Sequence, residues 1–577
     1  MRRVRRPRPT ISIVRWVIVI ALTVDALAPF DVDGRRSCRA NVAVPAGTNW
    51  QVQICAPDLL ATAQGNGPGP VATPPFSAAT GQPLQAVLTS SDGAVLDVRD
   101  GTAPPLVALE LTTPRYRNAI YATARPTRVT AELHLAATPA LLARLRYRAE
   151  LRAGAASTPG PWLTPEQAVV PLRFATPAAT ATEARLMVAV RQGETETNLA
   201  APLTIFAPSP GREVVVDEHQ RLLVDGKPFL PCGYFGVPDD EGQIRAVAAA
   251  GNNMALTYNT SPQWQVKWLD KLQAAGLMGM VHVPWSPAKL DLDKVREGVR
   301  QVKSHPALLA WYLADEPMPS KPGEAPADLQ RVYEAVKAED PYHPIAVCID
   351  IPDLEARYRE TYDILMIDPY PLVRARQPVA MIGDRLDHAR EAVAGRQPVW
   401  LIPQTFGWDV IEGLEGPPSY LTPTPEQAKA IYWFGLTHHA QGLVAYCYHV
   451  YTKFDAAKKK AGGWPWVLGG YLPEKQTRLW GALSETTGWL KRLDPWLQAT
   501  DVTCGHRGSV DYAWYRRGAE ALLVAQNRSE EKPTTVTLRS PLEAPPKLTP
   551  VVGAATVADH GLRLELPPLG VAAIEVR

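Results

Sequence analysis

The chain has 577 residues, and 46% of them are apolar, which is enough for several buried cores. The formal net charge is only +2, and most of the excess lies in the first eight residues. The sequence therefore excludes the basic stripe of a nucleic-acid-binding protein. Neither the six cysteines nor the histidines have the spacing of metal ligands, so no metal and no cofactor is predicted.

Residues 1–29 are typical of a secretory signal peptide or a membrane anchor. Arginines precede an apolar stretch at 16–24, which is far shorter than the ~20 residues that span a bilayer. The tripeptide Ala26-Leu27-Ala28 fits a cleavage motif, but Pro29 directly after it disfavours cleavage. Both alternatives predict a protein that is secreted, periplasmic or anchored to a membrane and facing outside the cytoplasm.

Residues 30–208 have the character of antiparallel β structure. Proline, alanine and threonine are frequent, and apolar and polar residues alternate over 128–134, 143–151, 168–174 and 184–191. Such alternation between turn-rich segments predicts a β-sandwich region of one or two modules. Residues 498–577 show the same alternation, which predicts a second, C-terminal β-sandwich.

Between these regions, residues 212–497 predict a (β/α)8 TIM barrel, so the chain as a whole is a multidomain protein. Apolar runs that are continuous rather than alternating indicate strands buried on both faces, as in a parallel sheet. The eight runs are 229–235, 253–258, 277–283, 308–314, 345–350, 364–368, 399–404 and 443–449. Amphipathic helical segments separate them. An open doubly wound sheet is the alternative, but no glycine-rich phosphate loop follows the first run.

The carboxyl ends of the strands carry the chemistry of a TIM barrel, and here they carry acids, aromatic rings and imidazoles. The fourth run ends on the adjacent acids Asp315 and Glu316, and the sixth ends on Asp368. We expect Glu316 and Asp368 to be catalytic. The candidate substrate-binding residues are Asp315, Tyr258, His282, Trp285, Tyr370, Gln404, Trp408, Tyr448 and His449. Rings that stack on sugar faces, beside carboxylates that accept hydroxyl hydrogen bonds, suit an oligosaccharide or polysaccharide.

Three segments resemble clan A glycoside hydrolases: VDGKPFLPCGYF at 224–235, WYLADEP at 311–317 and DPYP at 368–371. The similarity is to the family-2-like and family-42-like TIM barrels that carry a DEP motif on strand four. The resemblance implies a glycosidase with Glu316 as general acid/base and Asp315 as a ligand of the sugar next to the scissile bond. It also implies that Tyr370 supports the active site.

The chain departs from that clan at the end of strand seven, where a glutamate nucleophile is expected and Gln404 stands instead. An amide cannot attack an anomeric carbon, and the retaining mechanism needs two carboxyls ~5–5.5 Å apart. One alternative is inversion, with Asp368 or, second, Asp350 activating water across ~6.5–9.5 Å. Another recruits a carboxylate from the loop after strand seven: Asp409, Glu412 or Glu415. The last is a glycan-binding barrel without hydrolysis.

The environment of Glu316 predicts a raised pKa. Asp315 is a like charge beside it, and we expect Trp285 and Trp311 to form apolar walls around it. Both effects disfavour the ionised carboxyl, which suits a general acid near neutral pH. We expect His282 and His449 to donate hydrogen bonds to substrate hydroxyls or to Glu316.

Overall fold

The structure is a computed structural model of the chain. It describes residues 22–26, 35–44, 49–55, 59–66, 69–73, 76–79, 83–90, 95–102, 107–135, 137, 142–154, 160–409, 418–448, 474–542, 547–558 and 561–577. These residues fall into two compact units. The first comprises Met1–Pro114 with Pro126–Ile205, and the second comprises Arg115–Arg125 with Phe206–Arg577. The N-terminal β region predicted at 30–208 therefore contributes 115–125 to the second unit.

The described part of the first unit consists mainly of antiparallel strands. Its strands are Leu22–Ala26, Arg35–Val44, Asn49–Cys55, Leu59–Asn66, Gly69–Ala72, Phe76–Ala79, Pro83–Ser90, Val95–Thr102, Val107–Thr113, Arg128–Leu135, Arg146–Arg152, Val169–Ala175, Glu183–Gln192 and Thr195–Ile205. In Arg128–Leu135 every second side chain is buried, as the alternating pattern predicts. The antiparallel β character of this region is therefore confirmed.

The predicted leader is described only at its end. Leu22–Ala26 forms a strand antiparallel to 38–42, and residues 1–21 and 27–34 lie outside the described part. Among the described residues, no helix is both long enough and apolar enough to cross a membrane. Secretion, a periplasmic location and membrane anchoring stay predictions.

Eight parallel strands of the second unit close into a barrel, so the TIM-barrel prediction is confirmed and the open-sheet alternative is excluded. They are β1 (Cys232–Phe235), β2 (Met254–Thr257), β3 (Met278–His282), β4 (Leu308–Asp315), β5 (Ile345–Cys348), β6 (Ile364–Ile367), β7 (Val399–Leu401) and β8 (Leu443–Ala445). The barrel closes where β1 pairs with β8. Three short antiparallel strands precede it: Val214–Val216, Leu222–Val224 and Lys227–Phe229.

Helices connect and follow the strands, most of them at the amphipathic segments of the sequence; the four-residue helix Leu354–Arg357 was not predicted. They are α1 (Glu241–Ala249), α2 (Pro262–Ala274), α3 (Leu292–Val302), α4 (Pro326–Glu339), α5 (Leu354–Arg357), α6 (Met381–Ala392), α7 (Pro425–Thr437) and α8 (Glu474–Leu497). Short 3-10 helices lie at Tyr116–Asn118 and Arg359–Thr361. Asp240 and Asp291 cap α1 and α3, and Thr424 begins α7 with a capping box completed by Gln427.

Burial on both faces explains why the barrel strands have continuous apolar sequences. In β2, Met254 and Leu256 belong to the cluster inside the barrel, whereas Ala255 belongs to the cluster between strands and helices. Successive side chains of a strand point to opposite faces, so both faces need apolar residues. Seven of the eight strands are shorter than predicted, and β8 ends at Ala445 instead of continuing to 449, whereas β4 extends one residue further, to Asp315.

The C-terminal residues form two antiparallel sheets that share one apolar cluster, as the sequence predicts. Their strands are Asp501–Arg507, Val510–Arg517, Glu520–Asn527, Thr534–Arg539, Leu548–Val552, Ala555–Ala558, Gly561–Leu566 and Val571–Val576. The sheets pack on the barrel helix α7. The hydroxyl of Tyr515 donates to the carbonyl of Leu436 at 2.6 Å, and Gln526 donates to the carbonyl of Ala430 at 3.1 Å.

A charged network at this contact is centred on His438, which is 7% exposed. Its Nδ1 lies 3.0 Å from Asp387 of α6, and its Nε2 lies 3.1 Å from Asp511 of the C-terminal sheets. Arg390 donates to the carbonyl of His438, and Arg528 donates to Asp511. Burial opposes the charged imidazolium, but the hydrogen bonds and charges of the two aspartates outweigh it and raise the pKa of His438 to about 9.

We predict that His438→Gln lowers stability in a pH-dependent way. Because the folded-state pKa is above the ordinary ~6.5, the stabilisation is complete below pH ~6.5 and is lost as pH rises through about 9. The shift corresponds to at most about 3 kcal/mol. Thermal midpoints of the variant and the wild type should differ most at mildly acidic pH and converge at alkaline pH. A pH-independent difference, or no difference beyond that of the exposed control His219→Gln, contradicts the assignment.

Candidate functional site

Glu316 follows β4 directly and is held at the open end of the barrel. Its backbone N–H donates to the carbonyl of Cys348 at the end of β5, at 3.1 Å. Its φ is +46°, a left-handed conformation that costs a residue other than glycine about 1–3 kcal/mol. The pairing of β4 with β5 therefore fixes the position of the Glu316 carboxyl despite local backbone strain.

The side chains of Glu316 and Asp368 are hydrogen-bonded to each other. Asp368 follows β6 and is only 5% exposed, whereas Glu316 is open to solvent. Two carboxyl groups can share a hydrogen bond only when one of them is protonated. The structure therefore joins the two residues that the sequence predicts to be catalytic as a pair that holds a proton.

Burial and neighbouring negative charge both favour that proton. Burial raises the pKa of Glu316; the hydrogen bond with Asp368 partly offsets this rise, and the charges of Asp315 and Asp350 add to it. Burial likewise raises the pKa of Asp368 well above its usual range, followed by the charge of Glu316. The thiol of Cys348 is hydrogen-bonded to Asp368 and partly offsets this rise, while the other oxygen of Asp368, Oδ1, has no hydrogen-bond partner. A raised pKa for Glu316 agrees with the sequence-based expectation.

The cause of the raised pKa differs in part from that expectation. The predicted wall Trp311 is fully buried on the outer side of β4, where its indole donates to Asp340 at 2.8 Å. Trp285 packs against the same outer cluster and donates to the carbonyl of Leu313 at 2.6 Å. Neither ring belongs to the apolar cluster inside the barrel. Trp285 therefore does not lie where we expected it to contact the substrate.

Asp368 also differs from its predicted role as a base across a wide gap. The hydrogen bond to Glu316 leaves no room between the two carboxyls for the water that an inverting reaction places there. Asp350, the second candidate, follows β5 and is exposed. Its charge raises the pKa of both members of the pair, so it lies near them without being hydrogen-bonded to either.

Asp315, Tyr258 and His282 come together as the sequence predicts, with Tyr312 added. The hydroxyl of Tyr312 donates to Asp315 at 2.5 Å, and the hydroxyl of Tyr258 is also hydrogen-bonded to Asp315. The ring of His282 lies 6.5 Å from that of Tyr258 and 5.8 Å from that of Tyr312. These four side chains, which lie at the ends of β2, β3 and β4, form what we call the Asp315 wall.

Tyr370 and Trp408 belong to a second aromatic group, which the ring of Phe235 connects to Tyr258 and Tyr312. Its rings are in mutual contact at centroid distances between 5.0 and 6.3 Å: Tyr370, Phe406, Trp408, Tyr420 and Tyr446. The sequence-based list missed Tyr312, Phe406, Tyr420 and Tyr446. The alternation of side chains along a strand could have predicted that Tyr446 faces the inside of the barrel, because it lies two residues after the inward-facing Val444.

Tyr448 was predicted at the site, but it lies elsewhere. It is 8% exposed and packs edge-on against Tyr234 and Trp480 in the cluster outside the barrel. The prediction failed because β8 ends four residues earlier than expected and Tyr446 takes the inward position. His449 lies outside the described residues.

Gln404 is neither a nucleophile nor a substrate ligand in this structure, because its side chain is buried and both of its polar atoms are hydrogen-bonded to the backbone. It is 1% exposed, and its Oε1 accepts from the N–H of Leu372 at 3.0 Å. Its Nε2 lies 3.4, 3.3 and 3.2 Å from the carbonyl oxygens of Leu372, Phe406 and Leu421. Gln404 therefore ties together the loops that follow β6 and β7.

The remaining candidate acids do not supply a second carboxylate in the described part of the site. Asp409 accepts hydrogen bonds from the N–H and hydroxyl of Thr422 at 2.8 and 2.6 Å and closes its own loop. Glu412 and Glu415 lie outside the described residues. Within the parts of the chain that the structure describes, no group of three or more His, Cys, Asp or Glu residues is arranged to hold a metal ion.

Comparison with known proteins gives similarity to solved structures only. No protein-family model and no curated protein matches the chain. A β-D-glucuronidase of Dictyoglomus thermophilum is 13% identical, with 74% of this chain and 85% of that chain covered and a TM-score of 0.33. A β-glucuronidase of Ruminococcus gnavus in complex with D-glucuronic acid is 13% identical, with coverages of 75% and 86% and a TM-score of 0.33. Amy13B of Eubacterium rectale is 9% identical, with coverages of 60% and 95% and a TM-score of 0.42.

We predict that Gln404→Glu destabilises the protein and creates no nucleophile. A carboxylate at this position would face three carbonyl oxygens without a proton to donate, which costs on the order of 3 kcal/mol. The thermal midpoint should fall, whereas Gln273→Glu on the exposed face of α2 should leave it nearly unchanged. Glycoside hydrolysis that rises in Gln404→Glu without a loss of stability would contradict this placement of the side chain.

Proposed function

We propose that the chain hydrolyses O-glycosidic bonds of an oligosaccharide or polysaccharide, with Glu316 as the general acid. The observation that carries the proposal is the proton-sharing pair of Glu316 and Asp368 at the open, aromatic-lined end of a TIM barrel. A raised carboxyl pKa is what a general acid needs to stay protonated near neutral pH. The aromatic rings at this end of the barrel suit the apolar faces of a sugar.

In this mechanism the exposed Glu316 gives its proton to the glycosidic oxygen as the bond to the anomeric carbon breaks. The buried Asp368 touches Glu316 rather than the substrate and acts as a positioning residue that keeps a proton within the pair. Water attacks the anomeric carbon and passes a proton to a second carboxylate. We assign that role to Asp350, because it is exposed and near Glu316 without being hydrogen-bonded to it. The products then have inverted anomeric configuration.

A second candidate function is glycan binding without hydrolysis. Gln404 favours it, because the strand-seven position carries a buried amide where the related clan carries its nucleophile. In that case the rings and acids of the site bind a glycan and release it unchanged. A glycan substrate or ligand and a location outside the cytoplasm are common to both proposals.

We predict that Glu316→Gln lowers the turnover of unactivated oligosaccharides by about 10²–10⁴-fold, the usual contribution of general acid catalysis. The turnover of glycosides with a dinitrophenyl leaving group should fall much less, because that group departs without taking up a proton. Turnover of a panel of neutral oligosaccharides is followed by product formation. The control is Glu334→Gln on the exposed surface of α4, which should keep wild-type rates.

The outcomes separate the two candidate functions. Wild-type rates in Glu316→Gln would refute the assignment of the acid. Saturable calorimetric binding of an oligosaccharide without any product would favour the binding function. For a hydrolysed substrate, the anomeric configuration of the first-formed product, read by NMR, distinguishes inversion from a covalent intermediate.

A further inference from the structure

The tautomer of His282 is determined by its hydrogen bond. Its Nδ1 lies 2.9 Å from the carbonyl oxygen of Val283, and a carbonyl only accepts, so Nδ1 carries the hydrogen. Burial lowers the pKa of His282, and the neutral ring therefore keeps a lone pair on Nε2. This reverses the expectation from sequence, in which His282 donates to a substrate hydroxyl.

Asp315 presents a second acceptor on the same wall. The hydroxyls of Tyr312 and Tyr258 both donate to its carboxylate and so fix its orientation. Asp315 is nevertheless exposed, and no lysine or arginine of the described segments forms an ion pair with it. A carboxylate has about four lone-pair positions, so the two tyrosines leave part of its capacity free for a ligand.

We propose that His282 and Asp315 form an acceptor-only pair that selects a neutral sugar through its hydroxyl groups and rejects a uronic acid. The proposal rests on the proposed function and names the substrate class of the same site. Adjacent hydroxyls of a neutral sugar can donate one hydrogen each to Nε2 and to the carboxylate. A uronic acid also has ring hydroxyls, but its carboxylate would approach the like charges of Asp315 and Asp350, which already raise the pKa of Glu316.

Rejection of a uronate follows from like charge, whereas the requirement for the bound hydroxyl follows from the cost of leaving acceptors unpaired. A substrate that lacks the donating hydroxyl displaces water from His282 and Asp315 without replacing the lost hydrogen bonds. Sites built to bind a substrate hydroxyl discriminate more strongly than apolar pockets for this reason. Removal of one such hydrogen bond should therefore change kcat/KM by about 10–100-fold.

The test uses the full chain and the variant His282→Phe, which keeps a ring of similar shape but has no acceptor. The probes are cellotetraose, xylotetraose and mannotetraose as neutral sugars, and tetragalacturonate as the acidic one. For the neutral substrate that is hydrolysed, His282→Phe should raise KM about 10–100-fold and change kcat much less. The difference in KM between His282→Phe and the wild type should vanish for the one deoxy analogue that lacks the bound hydroxyl. The exposed His219→Phe is the matched control.

Two further variants keep the test decisive if His282→Phe does not fold. His282→Gln retains an acceptor oxygen and should preserve much of the neutral-sugar affinity, and Asp315→Asn should reduce the discrimination against tetragalacturonate. The proposal is overturned if His282→Phe raises KM equally for every deoxy analogue, or if the wild type prefers the uronate.

Failure of the proposed function has a different signature. If the wild type hydrolyses none of the probes, hydrolysis is refuted, and selectivity is then read by calorimetric binding of the same four probes. Stronger binding of a neutral probe that weakens in His282→Phe supports the acceptor pair. Equal or stronger binding of tetragalacturonate overturns it.

Discussion

The pairing of β1 with β8 is the constraint on which the site depends, because it closes eight parallel strands into one barrel. Closure brings the carboxyl ends of distant strands to a single opening. Residues more than fifty positions apart in sequence, such as Glu316 after β4 and Asp368 after β6, thereby come into hydrogen-bonding contact. In an open sheet the same strand ends would lie along an edge with solvent on one side.

The site holds several unfavourable features together, and the surrounding fold compensates for them. Glu316 has a left-handed backbone, and Asp368 is a buried carboxyl with an unpaired oxygen. Around them, Gln404 joins two loops through four backbone groups, and the charged network of His438 attaches the C-terminal sheets to the barrel. Polar contacts outside the site therefore offset the free-energy cost of strain and desolvation within it.

The sequence predicted the strands well because each barrel strand is buried on both faces, and continuous apolar runs record that directly. The ends of the strands were predicted less well. Tyr446 and Tyr448 are equivalent in composition, and only the point where β8 ends decides that Tyr446 faces the inside and Tyr448 the outside. The sequence also identified Gln404 as the departure from the clan that it resembles, but the hydrogen bonds of Gln404 to backbone groups far along the chain leave no local pattern.

The direct contact between Glu316 and Asp368 likewise has no signature in sequence, since it depends on the register of β4, β5 and β6. We infer that this pair keeps one proton, because the pKa of Asp368 lies well above the usual carboxyl range. Infrared titration of the protonated carboxyl stretch, as a difference between wild type and Asp368→Asn, measures this most directly. We expect a protonated carboxyl in the wild type at neutral pH that is absent from the variant. Identical spectra, with both groups fully ionised at mildly acidic pH, would contradict it.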